Sequence, residues 1–310
     1  MVFTIKPHFI DALFGGRFKT GIAERPGIGL AERIASGGYP AALTRRSPAR
    51  RRVWYRDHVE AQIQRDVRDL TRIRSLDALP KLLALAAAQT ARLANIAELA
   101  APFEVSRPTI HEYVTSLERI FLLELLPSWH TNRLSRMVKR PKLHMTDTGI
   151  ACSLLGVDAA TLDKDRALLG PILETFVLQE LRRQASARAE PPAFFHFRDR
   201  DDFEMDIVVE QGHSAVAGIE VRAAATVGEA DFRGLRKFRD LAGRRFVVGV
   251  VLYRWQRHDR LSQRNVRGPP AHALGGCLIC ARRVRCRSGA RPWLGTPAGG
   301  QGIPDPDVAL

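Results

Sequence analysis

The chain has 310 residues, 45% of them hydrophobic, which is enough apolar material for two or three packed domains. Its 48 Lys+Arg against 33 Asp+Glu leave +15, a balance that fits a polyanion partner such as nucleic acid, although a genome rich in arginine codons gives the same composition. No apolar run approaches the roughly 18 residues of a membrane span. The start lacks a signal-peptide pattern, and four cysteines make no disulfide framework, so no membrane partner and a cytoplasmic location are expected.

Residues 1–47 are interrupted by Gly15-Gly16, Gly27, Gly29 and Gly37-Gly38 and are expected to be poorly structured, with helix only around Leu30 to Ile34. The segment Gly15-Gly16-Arg17-Phe18-Lys19-Thr20 comes nearest to a phosphate-binding loop. Phe18 stands where a second glycine must let backbone N–H groups reach phosphate, so ATP is not expected to bind.

Residues 48–157 read as a helical domain. Val59, Ile63, Val67 and Leu70 recur at helical spacing, and a second helix follows with Leu79, Leu82, Leu83 and Ala86 inward. Asn95 caps a short helix, and Ser106 caps a longer one with Pro108 in its first turn; a strand at 121–126 comes next. This order resembles a winged helix-turn-helix, with Arg107, Thr109 and His111 at the front of the recognition helix. The acid-free stretch 127–142 is its wing, and Arg133, Arg136, Lys139 and Arg140 are the expected phosphate contacts on duplex DNA. Many small helical domains with such a pair bind protein instead. The arginines at 45, 46, 50, 51 and 52 are read as a solvated helix face.

A linker of Asp and Lys at 158–165 separates this domain from residues 166–253. There the pattern is helix, three strands, helix, strand, giving a mixed α/β fold. Glu174 falls on the first helix, Asp206 in the second strand and Glu220 in the third. Carboxylates in apolar strands need a partner. A cation shared by Asp206 and Glu220, Mg²⁺ or Mn²⁺, is one solution, and pairing with Arg198 or Arg200 is the other. Glu220 and Arg222 alternate to one face. The set Glu174, Asp206, Glu220 and Arg222 resembles the catalytic constellation of restriction-endonuclease-like domains, with Arg222 where a lysine is usual. Arginine stays charged and cannot exchange a proton with an attacking water, so no nuclease turnover is expected. Any enzyme built on these residues would be a metal-dependent phosphodiesterase.

The ordered motifs Gly37-Gly38-Tyr39-Pro40, Arg65-Asp66-Val67, Ser106-Arg107-Pro108-Thr109, Pro141-Lys142-Leu143, Thr146-Asp147-Thr148-Gly149, Arg198-Asp199-Arg200, Met205-Asp206 and Ile219-Glu220-Val221 resemble a prokaryotic family. It is the C-terminal domain of unknown function carried by AAA-type ATPases. The resemblance implies a winged helix followed by a nuclease-like domain, with residues 1–47 as a remnant of the ATPase lid and the phosphate loop missing, as in a truncated gene. A protein partner or a second copy of the chain is the alternative to DNA.

Residues 254–310 hold 10 Lys+Arg against 3 Asp+Glu and 14 Gly+Pro without hydrophobic period, so a disordered basic tail is expected. Cys277, Cys280, Cys286 and His272 are read as chance neighbours, not a zinc site.

Overall fold

The computed structural model describes residues 9–15, 27–67, 77–103, 105–224, 227–253 and 280–285. The possible zinc ligands other than the backbone of Cys280, and residues 16–20 of the phosphate-loop-like segment, lie outside these.

The first correction concerns residues 1–47. Helix α1 (Phe9–Phe14) buries Phe9, Ile10 and Leu13, and α2 (Gly27–Ser36) buries Leu30, Ala31 and Ile34. Both enter the core of the C-terminal α/β layer, because each short apolar face finds a long-range partner that composition does not reveal. Prolines then start two helices, α3 (Pro40–Leu43) and α4 (Pro48–Gln62), in the first turn where a missing N–H costs nothing. Five residues of wider π-type helix, Ile63–Val67, continue α4.

Helix α5 (Ala78–Ala88) packs Leu79, Leu82, Leu83 and Ala86 inward, as the spacing predicts. After strand β1 (Arg92–Leu93), α6 (Ile96–Ala100) is capped by the Asn95 side chain and α7 (Arg107–Arg119) by Ser106. Strands β2 (Leu123–Leu126) and β3 (Lys142–Met145) complete an antiparallel sheet in the order β1-β3-β2. The connection between β2 and β3 is not an open loop: it holds α8 (Arg133–Val138), capped by Asn132.

Helix α9 (Thr148–Leu155) closes this unit and ends on Gly156. The expected linker is itself a short helix, α10 (Ala159–Lys164), capped by Asp158. Asp165 then caps α11 (Arg166–Ser186), which carries Pro171 inside its second turn. Strands β4 (Ala193–Arg198), β5 (Glu204–Gln211) and β6 (Ala215–Arg222) form an antiparallel meander. A 3₁₀ turn at Glu229–Phe232 and α12 (Arg233–Ala242) cross over to β7 (Phe246–Tyr253), which runs parallel to β6. Gly218 and Gly249 lie opposite each other in these two strands beneath Leu235, and a Cβ at Gly249 would meet that side chain at 2.5 Å.

A second correction concerns the tail. Residues Cys280–Arg285 form β8, antiparallel to β7, so a strand covers the sheet edge that composition left bare. The sheet order is β4-β5-β6-β7-β8. One face packs Ile207, Val209, Ile219 and Val250 against α11, α1 and α2, and the other packs Met205, Val208 and Val251 against Phe232, Leu235 and Phe238.

Two of the family-like motifs meet in space. Asp147 is buried and accepts N–H bonds from Gly149 and Ile150 at the start of α9, and a third from Gly38 at 2.6 Å. Gly37 adopts φ +67°, and a Cβ there would collide with the Asp147 carboxylate and the Tyr55 hydroxyl. Thr148 and Tyr55 donate to the carbonyls of Ile34 and Ser36, closing the knot. Among the described residues no helix is long and apolar enough to cross a membrane.

Candidate functional site

Three carboxylates meet where the two sheets approach each other. Glu174 comes from the middle of α11, Asp206 from β5 and Glu220 from β6, and all three are buried. A bulge sets Asp206: Phe195 pairs with Val208 and Phe197 with Met205, so His196 alone faces two residues of β5. Bulges bend a strand and re-aim a side chain, and here the re-aimed one is the acid.

The cation beside these acids is Lys142, from β3. Its Nζ lies 2.7 Å from Glu174 Oε1 and 3.2 Å from Asp206 Oδ1, and the residue is 6% exposed. Asp206 Oδ2 accepts the Val221 N–H at 2.9 Å. Arg222 pairs with Glu220 Oε1 and reaches Asp231 at 3.1 Å. Glu220 Oε2 is buried with no hydrogen-bond partner among the described residues. Beside Lys142, buried His144 places Nδ1 3.0 Å from the Thr175 hydroxyl, while its Nε2 stands 3.8 Å from Glu174 and makes no hydrogen bond among the described residues.

The electrostatics follow from this count. Burial alone would lower the Lys142 pKa, but the Glu174 and Asp206 charges overcome it and hold the ammonium protonated. Burial and the neighbouring Asp206 push Glu174 up to about 8, against the pull of Lys142. Burial and Asp206 also raise Glu220 well above the carboxylate range, with Arg222 opposing. Three acids face Lys142 and an Arg222 already shared with Asp231. The charges therefore balance best with a proton retained among the glutamates.

A divalent ion does not fit this arrangement. Asp206 has both oxygens engaged, one by an ammonium and one by a backbone amide, and Glu174 faces the same ammonium. Of the expected Asp206–Glu220 metal pair, Asp206 is thus engaged from within, by Lys142 and the Val221 amide. The alternative partners are corrected too: Arg198 pairs with Asp202 and Glu204, not with Asp206.

The expected nucleic-acid residues divide. Arg107 and His111 are exposed at the front of α7, and Thr109 binds back to its cap, its N–H donating to Ser106 Oγ at 3.3 Å. Arg140 is exposed. Arg136 is not available to phosphate. It donates to Glu210 at 2.9 Å and lies over the rings of Trp129 and Phe195. Lys139 points to the Arg198 carbonyl at 3.5 Å. Arg133 lies on α8, with its side chain outside the described residues. The acid-free stretch therefore clamps one domain to the other at several of its cations.

The sequence reading missed this clamp. Trp129 is fully buried and donates to Glu210 at 2.7 Å, Arg245 joins the same carboxylate at 3.0 Å, and His196 bonds the Arg140 carbonyl at 3.0 Å. The available signals were Glu210 at the end of an apolar strand and a lysine opening the run Lys142-Leu143-His144-Met145, all of it buried.

Residues 28–161 match a family described as a domain of unknown function (DUF8612), and residues 169–270 match a second, also a domain of unknown function (DUF4143). The gap between the matches contains Asp165, the cap of α11. An uncharacterized protein of Mycobacterium tuberculosis and one of Mycobacterium bovis are each 27% identical over 201 residues, which is 64% of this chain and 44% of theirs. The chain thus spans less than half the length of these relatives. No solved structure matches it. In sequence, then, this chain is similar to two domain families of unknown function set one after the other.

Proposed function

We propose that the chain is a duplex-DNA-binding module of an ATPase-associated protein, reading DNA through α7 and using the α/β domain as a non-catalytic support. The observation that supports this is the order α5-β1-α6-α7-β2-β3 with sheet order β1-β3-β2, which is compatible with the helix pair and flanking strands of a winged helix, with Arg107 and His111 exposed on the second helix of the pair. The ATPase association rests on the resemblance to the second matched domain. Engagement of Arg136 and Lys139 inside the protein narrows the phosphate contacts to Arg107, Arg133 and Arg140. Three neutralised phosphates give a log–log salt slope of roughly −2.7.

Fluorescence anisotropy with labelled duplex DNA over a salt series tests this. The expected results are binding at low salt, a slope near that value, and a slope smaller by about 0.9 in Arg140→Ala. Absence of binding at low salt refutes the reading. A protein-binding role is the second reading, favoured by Phe121 and Leu134, both 75% exposed on the same unit. Loss of a protein contact, with DNA binding intact, in Phe121→Ser would support it.

A further inference from the structure

We infer that Lys142 is the permanent cation of the acid cluster, an ammonium built into the chain where a divalent ion would otherwise be required, and that it bolts the first domain to the second. This does not depend on the DNA reading.

The lysine is held in place by its strand. β3 is the central strand of its sheet, paired with β1 on one side and β2 on the other. The Pro141 carbonyl accepts the Ala94 N–H at 2.8 Å and the Leu143 carbonyl that of Ala91 at 2.7 Å, so the backbone on both sides of Lys142 is fixed. The side chain therefore cannot leave the acids without either a rotamer change into packed surroundings or separation of the two domains.

The donor and acceptor count points the same way. An ammonium has three protons; two are directed at Glu174 and Asp206, and among the described residues Glu220 Oε2 is a buried carboxylate oxygen of the cluster without a hydrogen-bond partner. A divalent ion offers charge for the same three carboxylates but must displace the ammonium to reach them. Metal occupancy and domain docking are in this sense mutually exclusive.

Two arms test the inference on the full chain. In the first, EPR of Mn²⁺ titrated into the unaltered protein should show no site that disappears in Asp206→Asn, and millimolar Mn²⁺ should leave the melting temperature unchanged. In the second, Lys142→Ala should lower the melting temperature by roughly 6–15 °C, because it leaves buried carboxylates without their cation. Mn²⁺ should then restore several degrees to Lys142→Ala and none to Lys142→Ala/Asp206→Asn. Asp206-dependent Mn²⁺ binding with Lys142 present overturns the inference. So does a Lys142→Ala protein as stable as the parent. Should Lys142→Ala not fold, the first arm still decides.

Discussion

His196 should make the stability of this protein sensitive to mild acid, by an amount that can be isolated from every other group. The ring is 2% exposed, and its Nε2 must be the protonated nitrogen because it faces the Arg140 carbonyl at 3.0 Å. Burial first, and then the charge of Lys142, hold its pKa down to about 4. The unfolded chain takes up a proton near pH 6.5, and the folded chain does not until about pH 4. Stability from this group is therefore fully present above 6.5 and lost as pH falls toward 4. At about 1.36 kcal/mol per unit, the 2.5 units between 6.5 and 4 correspond to about 3 kcal/mol, a large share of the 5–15 kcal/mol typical of a domain. The total pH curve will not show this directly. Glu174, raised to about 8, acts in the opposite sense, since the folded state keeps a proton that the unfolded chain releases above about 4.5. The difference between the parent and His196→Gln removes that term. Glutamine is neutral at every pH and still donates to the Arg140 carbonyl. Urea unfolding, followed by tryptophan fluorescence from pH 7 to 4, should show the parent losing about 3 kcal/mol relative to His196→Gln as pH falls. Parallel curves would show that His196 titrates alike in both states and that its burial has no electrostatic consequence.

Two further substitutions test the knot and the clamp. Gly37→Ala should cost more than about 2 kcal/mol, combining a positive φ with a Cβ placed against Asp147 and Tyr55, whereas Gly212→Ala at φ +59° with open space around it should cost about 1 kcal/mol; equal losses by chemical denaturation would contradict the role of the knot. Glu210→Ala should lose about 3–5 kcal/mol, because Arg136, Arg245 and the Trp129 indole lose their common acceptor in a buried setting, and a loss below about 1 kcal/mol would show that water replaces the carboxylate.

Local chemistry was readable in the sequence where it is decided locally. Asn95 and Ser106 cap the helices they were expected to cap, and helix, three strands, helix and strand follow in the expected order with Glu174, Asp206 and Glu220 on the expected elements. What escaped reading depends on residues far apart in the chain. Lys142 lies 32 residues from Glu174 and 64 from Asp206, and nothing in their spacing announces a bond. Arg136 looked like a phosphate ligand because its own segment has no acid; its carboxylate lies 74 residues onward, in β5. Gly15 and Gly37-Gly38 suggested weak structure by propensity, but Gly37 is required by a close approach to a carboxylate 110 positions away. Periodicity gives the face a residue occupies, and tertiary packing decides what that face meets.

The docking of α1 bears on how the chain is made. Phe9, Ile10 and Leu13 pack in the same core as α11, β6 and β7, and Arg188 reaches back to Asp11 across 177 positions. At roughly 5–20 residues per second, the ribosome would add the ~240 residues separating α1 from Val250 in roughly 12–50 s. Throughout that interval α1 lacks the part of its burial site that β7 supplies. Part of its apolar face stays unsatisfied until β7 has been made, which makes this segment a natural landing place for a holding chaperone on the nascent chain.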